Sequence, residues 1–548
     1  MTTVGALIVE TLASHGIDRV FCVPGESYLG LLDALYDRGD VDTVVCRHES
    51  GAGFMALADA RLSGRPGVAC VSRGPGASNA AIAVHTAQQD GVPFILVVGQ
   101  VAARDVRRDS FQEIDYGMMF GSIAKWTAEI TDPQRAAETM LRALQTATTG
   151  VPGPVVIAVP EDVLTADCTA RPVKPQAEVT AAPGAASLAE LRERLAAAKR
   201  PLVIAGSDID KPGEREKLLA FLEAWELPSV VSFRCQDLIP NGHRLYAGDM
   251  GLSNPPSQMA VLEQADLVVV LGARLSDITT QGYTFPKLVR PSQDLVHIHN
   301  DPTVIGTHFA SDLSIACSPA ALFDCVGGPD GALPDRGEWI EKLGTERRKI
   351  AAVRSFDVDD GIPFELVVDL VGRQLSRDAI VTLDAGTFAA PAYRIIDFRP
   401  PQRLIAPISG AMGFGIPAAV AAALREPGRE VICFVGDGGL LMTGSELAVA
   451  IERKLPLKVI VSENRIYGSI RIHQERDYPG RTVGTSFVNP DLDLIGQAYG
   501  FATTRISDIA QLPQLADVLK RPGPQFVVVD TSVQAILPKP VSVRDAAE

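Results

Sequence analysis

The chain has 548 residues, of which 46% are hydrophobic and 21% charged, the composition of a soluble globular protein of about three domains. Its formal net charge of −15 argues against a broad nucleic-acid-binding surface but allows a local cationic pocket. The start, Met1–Gly16, predicts an amphipathic helix rather than a signal sequence, and no transmembrane segment is visible. The 8 cysteines lie mostly in apolar runs, without a CxxC pair. We therefore expect a cytoplasmic protein with no membrane partner.

The first third of the chain alternates short apolar runs with helical patterns. The predicted strands are Phe21–Val23, Thr43–Cys46, Gly67–Val71 and Phe94–Val98, and Gly76–Gln89 is predicted as a helix. This alternation is typical of a parallel sheet covered by helices on both faces. The segment Arg171–Ala186, rich in proline and alanine, predicts a linker.

The rest of the chain continues the same alternation, interrupted by the Gly/Pro/Asp run Gly327–Arg336. The predicted strands are Leu202–Ala205, Leu267–Leu271, Leu295–Ile298, Ile380–Leu383, Val431–Val435 and Lys458–Val461. We predict an α/β fold of three domains, at residues 1–170, 186–328 and 355–548, each a parallel sheet flanked by helices.

The two outer thirds resemble each other. In each, a strand leads into a glycine loop, a helix, a proline and another strand. The loop is Gly74-Pro75-Gly76 in the first third and Gly436-Asp437-Gly438 in the last. Two similar domains around a third are therefore expected.

The strongest candidate site is Gly436-Asp437-Gly438-Gly439, directly after a predicted strand. A glycine loop between strand and helix lets backbone N–H groups approach a phosphate, and Asp437 supplies a hard oxygen suited to magnesium. Asn464 ends the next predicted strand, and adjacent parallel strands bring both loops to one carboxyl edge. The sequence thus predicts a site for magnesium and a diphosphate.

The glycine loops also allow other interpretations. A lone Gly-Asp-Gly is also compatible with a plain turn. A dinucleotide fingerprint needs a third glycine, but Leu441 stands there, and Asn79 stands there after Gly74 and Gly76. A phosphate-binding Walker loop is excluded because no Gly-Lys-Ser/Thr follows.

The segment from Asp437 to Asn464 resembles the motif of thiamine-diphosphate-dependent enzymes, which opens Gly-Asp-Gly and closes on asparagine. The resemblance implies thiamine diphosphate and Mg²⁺ as cofactors, with the metal held by both side chains and by the carbonyl of Ile466. The usual closing pair is Asn-Asn; here it is Glu463-Asn464. The glycines implied to bind the diphosphate are Gly436, Gly438 and Gly439.

Arg47–Ala60 and Ser72–Asn79 resemble the pyrimidine-binding domain of the same family. The resemblance implies that Glu49 is the carboxylate that activates the aminopyrimidine, whereas alone it also fits an ordinary first-turn glutamate. Next to it, His48 is expected to be structural.

The segment Gly410-Ala411-Met412-Gly413 resembles the part of the family that bends the cofactor. The Gly410 carbonyl would accept a hydrogen bond from the aminopyrimidine amine, and Met412 would be the wedge between the two rings. Without the resemblance, Met412 would fit a core methionine in a helix.

Gly99–Val101, Phe111–Glu113 and Lys125-Trp126 resemble acetolactate synthases. Pyruvate decarboxylases carry a His-His pair where this chain has Arg107-Arg108, and a glutamate where it has Ile470. We therefore expect an enzyme that decarboxylates a 2-oxo acid such as pyruvate and adds the remaining fragment to a second carbonyl. The candidate substrate-pocket residues are Gln112, Tyr467, Ile470 and His473, the last of which also fits a solvated helix position.

The resemblance has departures. The flavin segments of acetolactate synthases are altered at Gly121, Gly206-Ser207 and Arg274–Asp277, and their Gly-Gln-His-Gln segment is altered at Ala385–Phe388. FAD binding is therefore left open.

The family forms its active sites at subunit interfaces, which implies a homodimer or homotetramer. The alternatives are a 2-hydroxyacyl-CoA lyase or oxalyl-CoA decarboxylase, whose nucleotide pocket the end Pro538–Glu548 does not clearly supply, and a non-catalytic cofactor-binding scaffold.

Overall fold

The computed structural model describes residues 2–176 and 179–537. They form two compact units: one runs to Ala352 and takes in Asp397–Leu404, and the other comprises Val353–Ile396 and continues from Ile405. Among the residues described, no helix combines the length and apolarity needed to cross a bilayer.

The first sheet has six parallel strands in the order β3-β2-β4-β5-β7-β6, and β1 and β8 form a small antiparallel pair. The elements are β1 (Thr2–Thr3), α1 (Val4–Ser14), β2 (Arg19–Cys22), α2 (Leu29–Tyr36), β3 (Asp42–Val45), α3 (Glu49–Ser63), β4 (Gly67–Val71), α4 (Gly74–Asp90), β5 (Phe94–Gln100), α5 (Tyr116–Phe120), β6 (Trp126–Glu129), α6 (Ala136–Thr148), β7 (Pro154–Pro160), α7 (Glu161–Leu164) and β8 (Asp167–Cys168). Strands β4, β5 and β7 are buried along their whole length, as expected of inner strands covered on both faces.

The central sheet belongs to the same unit and has the order β11-β10-β9-β12-β13-β14, again all parallel. Its elements are α8 (Ala185–Ala197), β9 (Pro201–Ala205), α9 (Glu214–Ala224), β10 (Ser229–Ser232), β11 (Tyr246–Met250), α10 (Pro256–Leu262), β12 (Leu267–Leu271), β13 (Asp294–His299), β14 (Leu313–Ala316), α11 (Pro319–Val326) and α12 (Gly337–Ala351). Separate apolar clusters cover its two faces.

The third sheet has the order β16-β15-β17-β18-β20-β19. Its elements are α13 (Phe364–Gln374), β15 (Ile380–Leu383), α14 (Ala390–Ile395), β16 (Arg403–Ile405), α15 (Gly415–Arg425), β17 (Val431–Gly436), α16 (Asp437–Thr443), α17 (Leu447–Glu452), β18 (Lys458–Glu463), α18 (Gly468–Asp477), α19 (Leu492–Ala498), β19 (Ala502–Ile506), α20 (Leu512–Lys520) and β20 (Gln525–Asp530). Its six strands follow the same order as those of the first sheet, counted along the chain.

The predicted α/β class, with three parallel sheets flanked by helices, is confirmed. Each predicted strand is present with ends shifted by at most two residues, as for Phe94–Gln100 and Lys458–Glu463. The first helix is shorter than expected, Val4–Ser14, because Thr3 caps it by accepting the Ala6 N–H. All eight cysteines are free thiols, and seven are buried.

Candidate active site

Glu49 is the first residue of α3, at the carboxyl edge of the first sheet. His48 caps this helix: its Nδ1 accepts the Ser50 backbone N–H at 3.2 Å and lies 2.7 Å from the Ser50 hydroxyl. The Glu49 carboxylate accepts a hydrogen bond from Asn79 Nδ2 at 3.0 Å, and a Cβ on Gly76 would lie 3.3 Å from its other oxygen. The half-buried carboxylate is thus held against the beginning of α4.

Gln112 lies beside the same helix start, in a loop with left-handed backbone at this residue (φ 64°). A Cβ on Gly74 would lie 2.5 Å from the Gln112 carbonyl oxygen, so a larger residue does not fit there. The Gln112 side-chain oxygen accepts a hydrogen bond from Nε of Arg73 at 3.3 Å. Arg73 is itself buried and pairs with Glu26 at 2.6 Å. Gln112 and Glu49 therefore both lie against the first turns of α4.

A cleft of about 220 Å³ opens at the carboxyl edge of the third sheet, where α/β sheets bind ligands. Loops that follow β15, β17 and β18 line it, together with the segment before α15. All the predicted cofactor and metal residues of this unit line the cleft: Gly410, Met412, Gly436, Asp437, Gly438, Gly439, Asn464 and Ile466. The structure thus brings these sequence-predicted residues together.

Asp437 begins α16 and is 3% exposed. Its Oδ2 accepts the backbone N–H groups of Asn464 at 3.1 Å and Arg465 at 2.7 Å, and Nδ2 of Asn489 at 3.0 Å. Burial raises the pKa of the Asp437 carboxyl above its ordinary value, although these hydrogen bonds act in the opposite direction. A bound cation would offset the cost of burying this charge.

Asn464 directly follows β18, and its Oδ1 accepts the Ile466 N–H at 3.1 Å, which closes a tight turn. The hydrogen bond from the Asn464 N–H to Asp437 ties this turn to the glycine loop. A carboxylate, an amide and a backbone carbonyl are the oxygen ligands that Mg²⁺ prefers. The donor types and their convergence fit a magnesium ion.

The glycine loop is packed closely from behind. A Cβ on Gly436 would lie 2.9 Å from the Phe388 ring, and one on Gly439 would lie 2.9 Å from the Asp384 carboxylate carbon. Glycine at these positions leaves main-chain N–H groups, rather than side chains, to meet a ligand. The loop therefore fits a diphosphate group.

Asp384 was missed by the sequence reasoning, although an acid directly after the apolar strand Ile380–Leu383 was a usable signal. It is fully buried, and its oxygens accept the N–H groups of Gly413 at 3.0 Å and Gly415 at 2.9 Å. These bonds fix the turn that carries Met412, which is half-exposed and not helical. The alternative of a core methionine in a helix is wrong.

Asn489 was also missed, because it lies 52 residues after Asp437 and no sequence motif links it to the site. Its Nδ2 bridges Asp437 and Glu463, at 3.0 and 3.2 Å. Burial works to raise the pKa of Glu463, but hydrogen bonds from Asn489 and Arg505 outweigh it and lower that pKa. The unusual glutamate before Asn464 is therefore a paired anion beside the site.

The predicted substrate-pocket residues do not all lie in the cleft. Tyr467 and Ile470 line the cleft, and Ile470 is 55% exposed at the start of α18. His473 is exposed farther along that helix and is not among the lining residues, while Gln112 belongs to the other unit. Of the residues that line the described cleft, only Asp437 is acidic and none is histidine.

Three family profiles match the chain in order. The N-terminal TPP binding domain of thiamine pyrophosphate enzymes matches residues 2–119, the central domain residues 188–325, and the C-terminal TPP binding domain residues 384–529. The acetolactate synthase isozyme 1 large subunit of Escherichia coli is 32% identical, over 95% of this chain and 92% of its own length. The chain belongs to the thiamine pyrophosphate enzyme family.

Two further relatives of this thiamine pyrophosphate enzyme are similar along most of its length. The acetolactate synthase large subunit of Lactococcus lactis subsp. lactis is 29% identical over 96% of the chain and 92% of its own length. The probable acetolactate synthase large subunit of Methanocaldococcus jannaschii is 29% identical over 91% and 86%. The resemblance seen in the sequence is confirmed: the chain is a thiamine-diphosphate enzyme, and the matched domains contain Glu49, Asp437 and Asn464.

Proposed function

We propose that this enzyme is a magnesium-dependent carboligase of the acetolactate synthase type. It decarboxylates a 2-oxo acid such as pyruvate and adds the remaining fragment to a second carbonyl compound. The observation that carries the proposal is buried Asp437, tied to Asn464 beside a glycine loop, in a chain similar to acetolactate synthases over 95% of its length. The proposed pyrimidine-binding, central and diphosphate-binding domains are residues 1–170, 186–328 and 355–548.

Thiamine diphosphate, when bound, supplies a thiazolium ring that accepts the electrons released by decarboxylation. Glu49, whose carboxylate is oriented by the hydrogen bond from Asn79, would exchange a proton with the pyrimidine ring nitrogen. The Gly410 carbonyl would accept a hydrogen bond from the pyrimidine amine. Met412, fixed in its turn by Asp384, would pack against the rings of the cofactor.

Asp437, Asn464 and the Ile466 carbonyl would hold the metal, and the loop Gly436–Gly439 would hold the diphosphate. The hydroxyl of Thr387 lies at the start of α18, where a Cβ on Gly468 would be 2.7 Å from it. The positive end of a helix dipole favours a phosphate at this place. We therefore propose that the Thr387 hydroxyl donates a hydrogen bond to the terminal phosphate. The neighbouring Phe388 also lines the cleft but has no side-chain group that could donate one.

The apolar side chain of Ile470 supplies no proton donor for the fragment left by decarboxylation. This favours addition of the fragment to a second carbonyl compound over release of an aldehyde. The substrate residues proposed from the resemblance are Tyr467, Ile470 and His473 in one unit and Gln112 in the other. Replacing Ile470 with glutamate should raise the share of free aldehyde among the products.

The reaction is tested with a panel of 2-oxo acids, supplied with thiamine diphosphate and Mg²⁺, and with product identification. We expect a coupled hydroxy-oxo acid from pyruvate and no product from the Glu49→Gln variant. Free aldehyde as the main product would contradict carboligation. Turnover of acyl-CoA thioesters would instead support the lyase alternative. The end Pro538–Glu548, which does not clearly supply a nucleotide pocket, lies outside the described residues.

We also propose a cytoplasmic homodimer or homotetramer with active sites at the subunit interface. The family supports this, because its activating glutamate and its metal site come from different subunits. Co-expression of Glu49→Gln and Asp437→Ala chains tests it, since a mixed dimer would regain one intact site. Mixed dimers without activity would contradict shared sites.

A further inference from the structure

The central sheet has a topological switch point between β9 and β12. From β9 the chain adds strands outward to β11, and from β12 it adds them outward in the other direction to β14. In open parallel sheets, the crevice at such a point is where dinucleotides bind. An FAD, or the ADP part of coenzyme A, carried by this domain is therefore expected at this crevice.

The crevice is closed by the main chain. The Gly206 N–H donates to the Leu271 carbonyl at 3.0 Å, and the Asp208 N–H donates to the Gly272 carbonyl at 3.1 Å. A Cβ on Gly206 would lie only 2.3 Å from Cα of Ala273. The loops after β9 and β12 thus touch along their backbones, and the N–H groups of Gly206 and Asp208 are already used.

The charge at the crevice also opposes a diphosphate. Asp208 is a buried carboxylate in the loop after β9. The helix that follows, α9, begins with Glu214 and has Glu216 in its first turn, so its positive dipole end already faces carboxylates of the chain. Beside it, Arg215 and Arg403 are both paired with Asp210 and Asp237. These two arginines are therefore neutralised internally.

The same carboxyl edge contacts the first domain instead. Arg274, after β12, donates from Nη2 to the carbonyl of Gln89 in the last turn of α4. An arginine suits this place because the last carbonyls of a helix lack partners within the helix. Asp301, after β13, accepts the Val151 N–H on Oδ2 at 2.9 Å. A Cβ on Gly150 would lie 2.6 Å from the same Asp301 oxygen, which shows how closely the two segments approach.

We infer that the carboxyl edge of the central sheet is a seam that fixes the first domain to the central domain and is closed to FAD and to ADP. The seam consists of Arg274 and Asp301 with their partners Gln89 and Val151. The residues present at this edge do not fit a flavin. This inference does not depend on which 2-oxo acid the enzyme uses.

Isothermal titration of the full-length protein with FAD, with ADP and with thiamine diphosphate plus Mg²⁺ tests the closed crevice. We expect binding of thiamine diphosphate and no heat from FAD or ADP at concentrations up to 1 mM, an order of magnitude set by ordinary metabolite affinities. Stoichiometric binding of FAD or ADP would overturn the inference. Failure of thiamine diphosphate to bind would count against the proposed function. The FAD and ADP titrations would still test the closed crevice, because they are measured separately.

Hydrogen exchange tests the seam itself. In Asp301→Ala we expect the Val151 amide to exchange at least tenfold faster, and in Arg274→Met we expect faster exchange and proteolysis at the end of α4. The matched control is Arg290→Met, which removes an arginine paired with Asp312 on the exposed surface of the same domain. Thiamine diphosphate binding should persist in all three variants. If the amide exchange rates at Val151 and in α4 were the same as in the control variant, the inference of a seam would be overturned.

Discussion

The third and central sheets are both parallel and both carry glycine after their middle strands, yet their carboxyl edges differ. In the third sheet, the loops leave a cleft of about 220 Å³ between them. In the central sheet, the Gly206 N–H bonds to Leu271 at the end of β12, and the Asp208 N–H bonds to Gly272 in the loop that follows. An acid follows the glycine in both places, but Asp437 lines a cleft and Asp208 lies against a closed crevice. The sheet pattern sets where a site can form, and the backbone bonds of the loops decide whether it does.

The largest effect is expected when Asp437 and Asp208 are each replaced by alanine. Asp437→Ala should weaken Mg²⁺-dependent thiamine diphosphate binding by about 100-fold or more, since a metal ligand contributes at least as much as the groups that orient it. Asp208→Ala is the matched control and should leave that affinity unchanged. Titration calorimetry gives both values. Similar losses of thiamine diphosphate affinity in the two variants would show that the two acids do not differ in the way proposed.

The next effect concerns the closed crevice. Gly206→Ala should lower the free energy of unfolding by about 1–3 kcal/mol, because its Cβ would overlap backbone that can yield only by moving a loop. Gly184→Ala is the control, because φ is −66° there and no atom lies within 4 Å of the added Cβ. Urea unfolding measures both variants. An unaffected Gly206→Ala protein would mean that the crevice opens readily.

A smaller effect tests the phosphate end of the cleft. Thr387→Val should weaken thiamine diphosphate binding about tenfold, because a hydrogen bond to a charged group contributes about 1.5 kcal/mol. Thr387→Ser should restore most of the affinity. Thiamine monophosphate, which lacks the terminal phosphate, should bind the valine variant and the natural protein alike. If the valine variant bound both ligands more weakly, Thr387 would have a structural role instead of contacting the terminal phosphate.

The most gradual effect is a pH dependence of β13, the strand that ends two residues before the seam residue Asp301. Burial lowers the pKa of His297 and of His299 to about 4, from an ordinary value near 6.5. The unfolded chain therefore binds protons between pH 6.5 and 4 that the folded chain does not, so stability is fully present above pH 6.5 and falls as the pH drops. The slope is at most about 1.4 kcal/mol per pH unit for each histidine. Urea midpoints from pH 7 to 4.5 should fall less steeply in His297→Gln.

Sequence patterns predicted inner strands that are continuous apolar runs, such as Gly67–Val71 and Leu267–Leu271, but gave none at the equally apolar inner strands Pro154–Pro160 and Gln525–Asp530. They gave no strand at Tyr246–Met250, which contains Gly248 and Asp249 and pairs on one side only. Edge strands of this kind depend on a neighbour for their hydrogen bonds more than on their own composition.

The glycine loop and its metal residues were predictable because they follow apolar strands at one edge. Asn489 was not, since its contact with Asp437 depends on a fold of the chain that local patterns do not encode. Nor does composition distinguish His473, exposed on α18, from Ile470, which lines the cleft three residues earlier on that helix.

The first and third sheets share one strand order, although the residues that follow their strands are chemically unlike: Glu49 and Asn79 in one, Asp437 and Asn464 in the other. A repeated scaffold of this kind separates two tasks. Buried strands keep each half folded, while the connections can change their chemistry without altering the pairing of strands. New substrate preferences in this enzyme should therefore be sought by varying connections after β15 and β18 and leaving the strands untouched.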